Sequence, residues 1–488
     1  MIDTSMRRNL LINFAGLILP TFVSLVTVPL YIKALGLDRF GVITLVWVLV
    51  GYFAVMDFGI SLASENRISR ALAAGDADEV SRTFWSACWF NLATGCAGGA
   101  ALWASAGAYF NWGTQVPPAL LGEVAAALPW VALSIPVGNL SLVFAGSISA
   151  AERFSVFNTN QTIGTVLFQV LPVVMAFTLA PTLQVAIMAS VAARIVASLM
   201  LGAATWRVLG LTRMAPPERA CMRELFAYGR WLQLAVVANM IGDSLDRLVV
   251  GAMQTPRFVT YYAVPQNLVS RLNLLAGALS RTLFPRLSAA RPEQARETAY
   301  HSLMFLNNLF TPVAIGAMFT LGPFLHVWIR QELSPAAAEV GRIMIVAVWL
   351  AGQTTVARVL MLAQNRQAAV AHVSMLQLPV FALLLWLLVS RFGILGAGTA
   401  VLARGTIDYA ASLVLSRMPV RAALREMLPH LMFIIVALAV SSAQAPLLIA
   451  WTLGAGLVAA NLAWSLHSSA SFRDAAAVVW QRVGLGRG

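Results

Sequence analysis

The residues best suited to chemistry lie in one short stretch, where Gln266, Asn267, Ser270, Arg271 and Asn273 fall within two helical turns of an apolar segment. A guanidinium flanked by amides can fork onto phosphate or carboxylate oxygens while the amides bind hydroxyl groups. Arg271 has no acid within four residues on its own helix. Arginine at bilayer depth costs roughly 2.5–3.5 kcal/mol on insertion scales, so its presence there asks for a reason. One reason is an anionic ligand; the other is a structural pair with an acid such as Asp57 or Asp246 on another helix. Arg230, Arg281 and Arg358 are further candidates for an anionic head, and Asn13 adds an amide in the first apolar segment. Arg230 and Arg281 lie close enough to segment ends for snorkelling to explain them. Arg358 and Arg194 have no acid nearby in sequence, and Gln353, Thr354 and Thr355 one turn before Arg358 suggest a cavity-facing stretch.

The embedded acids could take up a coupling ion or hold a gate. Asp243 with Arg247, and Arg404 with Asp408, are spaced i,i+4 and could simply neutralise each other. Asp246 sits in Asp-Arg-Leu-Val-Val-Gly, and Asp57 near the end of an apolar segment is within reach of Arg67 or Arg70 as gate or scaffold. Trp47, Tyr52, Trp103, Trp231, Tyr261 and Tyr262 could stack on sugars, although packing or interfacial anchoring serves any one of them equally well.

The elements that must carry these residues follow from composition. The chain has 488 residues, 59% apolar and 11% charged, and a mean hydropathy of +0.78. Such a chain cannot fold in water as a soluble domain. With roughly 20 apolar residues needed per crossing, it can furnish a dozen or more helices. Apolar stretches run near 10–32, 41–63, 85–108, 124–148, 158–180 and 184–205, then, after a basic linker, near 225–251, 259–283, 303–325, 340–363, 373–390 and 394–415. Two shorter ones follow at about 431–447 and 448–466. The expected architecture is an all-α membrane protein of about 14 transmembrane helices. An N-lobe occupies 1–205, a basic cytoplasmic linker 206–224 and a C-lobe 225–416. A basic loop and C-terminal helix pair follow over 417–466, and a cytoplasmic tail over 467–488. Six helices per lobe is an even number, so the lobes would be parallel repeats around a central cavity.

Positive charge sets the orientation. With the N-terminus cytoplasmic, only Lys33, Arg39, Arg257, Arg330 and Arg391 fall in outer loops, and the remaining loop arginines fall inside. Both termini are therefore expected in the cytoplasm.

The same inventory excludes several chemistries. The net charge is +13, but no run of basic residues suggests nucleic acid. Lys33 is the single lysine, so there is no Walker A loop to hold ATP phosphates. Cys88, Cys96 and Cys221 form neither a disulfide framework nor a metal motif, and the histidines lack ligand spacing. No metal or cofactor is expected. Outer loops are short, the longest running about Tyr109 to Gly122, which leaves little room for the acidic outer domain of a glycosyltransferase or polymerase. The chain is read as a non-enzyme.

The segment from Tyr31 to Arg67, YIKALGLDRFGVITLVWVLVGYFAVMDFGISLASENR, resembles the start of Wzx-type polysaccharide flippases of the multidrug/oligosaccharidyl-lipid/polysaccharide exporter superfamily. The stretch from Asp246 to Gly251, and the run from Tyr261 to Pro285 leading into LFPRLS, are similar to the second half of that family. The resemblance implies a polyprenyl-diphosphate-linked oligosaccharide, O-antigen or another surface polysaccharide unit, turned from the inner to the outer leaflet of the bacterial inner membrane by alternating access. It also implies the polysaccharide polymerase and chain-length machinery as partners. Related lipid II flippases carry charge in the first span, whereas Leu10 to Ile32 here carries none. A multidrug or cation exporter is the alternative; its lumen would be dominated by acids and aromatics, whereas arginines outnumber acids here.

Overall fold

The computed structural model describes residues 4–329, 333–443, 446–469, 472–474 and 477, without the side chains of 4–18, 54, 228, 230–232, 234–236 and 238–239. Asn13, Arg230 and Trp231 thus lie outside the described side chains. Among the described residues the chain is all-helical, and nine helices are long and apolar enough to cross a membrane.

The first is α1, Thr4–Phe53. It is broken at Gly36, whose φ of 82° and ψ of 168° only glycine tolerates without strain. The break falls between the first two apolar stretches of the sequence. A comparable break at Gly393 (φ 57°, ψ −134°) divides α12, Gln367–Leu415.

The second apolar stretch is not one continuous helix. After α1 the chain makes a 3-10 turn over Ala54–Asp57, and Phe58 and Gly59 then take left-handed conformations (φ 50° and 72°). A new helix, α2, runs over Ile60–Ala74. Its start is held by the buried Asp57, whose Oδ1 accepts the Ser61 backbone N–H (3.2 Å) and hydroxyl (2.5 Å). Gly75, again left-handed, ends it. Asp76 then caps α3, Ala77–Trp112, by accepting the Glu79 N–H at 2.9 Å.

The rest of the first compact unit, Met1–Thr260, comprises α4 (Pro118–Ala150), α5 (Phe154–Thr178), α6 (Leu183–Leu209) and α7 (Arg219–Met253). Helices α3 and α4 approach until their backbones touch. A Cβ on Gly95 would lie 2.6 Å from the Pro136 Cα, and one on Gly99 2.5 Å from the Ala132 carbonyl oxygen. Small residues one turn apart permit this where lipid gives helices no hydrophobic reason to associate. Helix α7 begins within the basic linker and packs against α1, α2 and α3.

The second unit, Tyr261–Gly488, takes in most of α8 (Pro256–Val269), then a 3-10 turn over Ser270–Leu272 and α9, Asn273–Ala289. The eighth apolar stretch is therefore interrupted as well. Next come α10 (Pro292–Trp328), α11 (Pro335–Ala363) and α12, with α13 (Val420–Ser442) and α14 (Leu447–Ser468) packed on α10. Trp349, fully buried on α11, donates its Nε1–H to the Thr311 hydroxyl of α10 at 3.1 Å, which satisfies both groups away from water.

Candidate functional site

Arg271 lies in the 3-10 turn between α8 and α9, where its side chain is exposed. Asn267, Ser270 and Asn273 are exposed around it and Gln266 is half-buried. The Ser270 hydroxyl donates to the Asn267 carbonyl at 3.0 Å, closing the last turn of α8. The turn gathers a guanidinium and several amides at the surface of the second unit, flanked by the buried Val269 and Ala276. Arg281, further along α9, is also exposed.

Arg358 lies in a different environment. The expected run of polar residues before it does not line an open surface: Gln353 and Thr354 are 0% and 2% exposed. Its guanidinium donates to both oxygens of Asp408 on α12, at 2.8 and 2.9 Å, and stands 3.4 Å from the Ser374 hydroxyl. Asp408 also accepts from Gln377 at 3.2 Å. An acid remote in sequence thus engages Arg358 and makes it a cross-link between α11 and α12, which removes the argument for a cavity-facing cation. Arg404, four residues before Asp408, instead places its guanidinium 4.8 Å from the centre of the Phe381 ring.

The acids divide similarly. Asp57 caps α2, so its expected partners are engaged elsewhere. Arg67 bridges Glu79 on α3 and, at 2.6 Å, Glu224 on α7, while Arg70 donates to the Asn66 carbonyl. Burial acts against the charged form of Arg67, but the hydrogen bonds to Glu79 and Glu224 outweigh it and hold its pKa above the usual guanidinium value. Nearby, burial pushes the Cys221 thiol up, against the pull of the same arginine. On α7, Asp246 is buried and accepts the Arg247 backbone N–H at 2.8 Å, whereas Asp243 is exposed. Beside them Ser244 donates to the Tyr52 hydroxyl at 3.1 Å. No cluster of three metal-ligating side chains exists among the described residues.

Two ion pairs had no local signal in the sequence. Arg39 pairs with Glu123 at 2.5 Å, and Glu123 also accepts the Leu183 N–H at 2.8 Å, tying α1, α4 and α6 at one end. Arg257 meets Asp38 at 3.0 Å, and Thr260 donates to the Leu37 carbonyl at 2.7 Å. Arg194 on α6 rests over Trp47 and Phe168, 5.6 and 5.9 Å from their ring centres. Tyr261 and Tyr262 are buried, leaving Trp103 as the exposed member of the described aromatic candidates.

The fold is one shared with solved membrane transporters. The chain superposes on an inward-facing multidrug-resistance MATE family transporter of the MOP superfamily with a TM-score of 0.70, at 12% identity, covering 83% of this chain and 96% of that one. It matches an inward closed structure of the lipid II flippase MurJ with a TM-score of 0.67 at 13% identity, covering 94% and 99%. In sequence it is 20% identical over 405 residues to a Shigella flexneri protein named "Putative O-antigen transporter", spanning 83% of this chain and 96% of the relative. The family model described as "Polysaccharide biosynthesis protein" matches residues 34–338. The chain belongs to that family.

Proposed function

We propose that the protein carries a polyprenyl-diphosphate-linked oligosaccharide, an O-antigen or other surface polysaccharide unit, from the inner to the outer leaflet of the bacterial inner membrane. The family match over 34–338 carries this reading, and the fold shared with a lipid-linked precursor flippase supports it. A glycan head cannot enter roughly 30 Å of hydrocarbon unaided, since each hydroxyl stripped of water costs a few kcal/mol. It needs a hydrated path with cations for its phosphates. In this reading the chain makes fourteen crossings with both termini in the cytoplasm. Arg271, with Gln266, Asn267, Asn273 and Arg281, meets the diphosphate and first sugars. Asp243 and Asp246 are the acids assigned to respond to a coupling ion, and no catalytic residue is assigned.

The exporter alternative draws on the fold likeness to the MATE transporter, but a drug cation would be poorly served by the arginines Arg194 and Arg271. Deleting the gene and identifying the lipid-linked glycan that accumulates tests the function. A strain with unchanged surface polysaccharide and no accumulated intermediate would refute it. Transport into sealed vesicles under separately imposed proton and sodium gradients tests the coupling, and indifference to both would remove it.

A further inference from the structure

A cavity of about 390 Å³ lies within the first unit between α4, α5 and α6. Each helix contributes one face: Gly138, Ser141 and Ala145 from α4; Asn160, Gln161, Thr165 and Phe168 from α5; Arg194, Ala197 and Ser198 from α6. The small residues are what leave the space. A side chain at Gly138 would point at the Arg194 guanidinium, 3.9 Å away, and one at Gly164 would press on Ala197 at 2.8 Å.

Arg194 lies near the middle of α6 and forms no ion pair or hydrogen bond among the described residues. Its described contacts are the faces of Trp47 and Phe168, which steady the flat guanidinium but accept none of its five N–H groups along their bond directions. A cation placed so deep, stacked on its flanks and without an acid, is ready for a ligand that brings the negative charge. Around it Gln161 and Ser198 offer side chains with no hydrogen bond among the described residues, and Asn160 spends one N–H on the Val156 carbonyl. These groups suit hydroxyls, and the volume is at the lower end for small-molecule sites. It admits one sugar with its charged group and excludes an oligosaccharide.

We propose that this cavity binds an anionic sugar group, a sugar phosphate or a uronate, with Arg194 forked onto the oxyanion and Asn160, Gln161 and Ser198 on the ring hydroxyls. The site is separate from the Arg271 constellation and does not rest on it. The test uses the full-length protein purified in uncharged detergent and titrated calorimetrically with glucose 1-phosphate, glucuronate, inorganic phosphate and glucose. Both sugar anions bind, inorganic phosphate binds more weakly, and glucose does not bind over the same range. Arg194→Gln weakens binding on the order of ten- to a hundredfold, as expected for a charged hydrogen-bonded contact, and Arg194→Lys, which keeps charge without the fork, recovers part of it. Gln161→Leu weakens binding severalfold at unchanged charge, which keeps the proposal testable if Arg194→Gln fails to fold. Arg207→Gln, exposed at the end of α6 and outside both sites, leaves it unaltered, and the glycan that accumulates in the gene deletion is read separately, so failure here and failure of the flippase reading separate cleanly. Wild-type affinity in Arg194→Gln, or no binding of either sugar anion, overturns the proposal. In nanodiscs, binding of phosphatidylglycerol in place of the sugar anions would make the cavity a lipid site and overturn the sugar assignment.

Discussion

Arg358 on α11 and Asp408 on α12 meet at 2.8 Å with both side chains largely shielded, at 26% and 18% exposure. Removing one member strands the other, together with the Gln377 amide that also serves Asp408. Arg358→Gln and Asp408→Asn each lower stability by about 1.5–3 kcal/mol, the range for a charged hydrogen-bonded group. The double variant loses less than the sum of the two, by roughly 0.5 kcal/mol or more. Thermal unfolding in detergent reads both, and strict additivity would deny the coupling.

Helix α7 crosses the turn before α2 at a pair of glycines. A Cβ on Gly229 would lie 2.6 Å from the Phe58 carbonyl oxygen, and one on Gly59 2.3 Å from that of Gly229. Backbone cannot swing aside as a side chain can, so Gly229→Ala is expected to cost about 1–3 kcal/mol. Gly59→Ala costs about 1–2 kcal/mol more because Gly59 is also left-handed. Melting temperatures that leave either variant at the wild-type value would contradict this crossing.

Gly36 and Gly51 separate strain from space. Neither would bring a new Cβ within 4 Å of another group, yet only Gly36 has a backbone conformation foreign to other residues. Gly36→Ala destabilises by about 1–3 kcal/mol, while Gly51→Ala, in regular helix, stabilises by about 0.5–1 kcal/mol. Effects of the same sign in a paired denaturation experiment would refute the break in α1.

Arg271 is exposed at its turn, so Arg271→Ala changes stability by no more than about 0.5 kcal/mol. Export of the glycan nevertheless falls to background at normal membrane abundance, and Arg271→Lys restores it in part, since lysine supplies charge without a planar fork. Immunoblots of surface polysaccharide and of the protein decide together. A full-length surface glycan in the alanine variant would strike Arg271 from the site.

Much of the helical pattern was legible because apolar runs report on lipid directly. The loops at 33–40 and 391–393 coincide with the glycine breaks of α1 and α12. The interruptions after Phe53 and at Ser270 were not legible, because both sit inside apolar runs and hydropathy carries no information on backbone dihedrals. Within the candidate site, the exposed amides around Arg271 could be read locally. The partner of Arg358 could not, since it comes from fifty residues away and a nearer arginine, Arg404, offered itself to the same acid. For Asp57 the sequence left gate and scaffold open, and the serine four residues on is the local signal of the helix start that it holds.

The mutual neutrality of Arg358 and Asp408 has an electrical side. Shifting an isolated elementary charge through the whole membrane field involves about 2.3 kcal/mol per 100 mV, but a pair that travels as one unit does no such work. Transmembrane voltage therefore has no purchase on the α11–α12 link, and acts instead on cations such as Arg194 that have no counterion among the described residues.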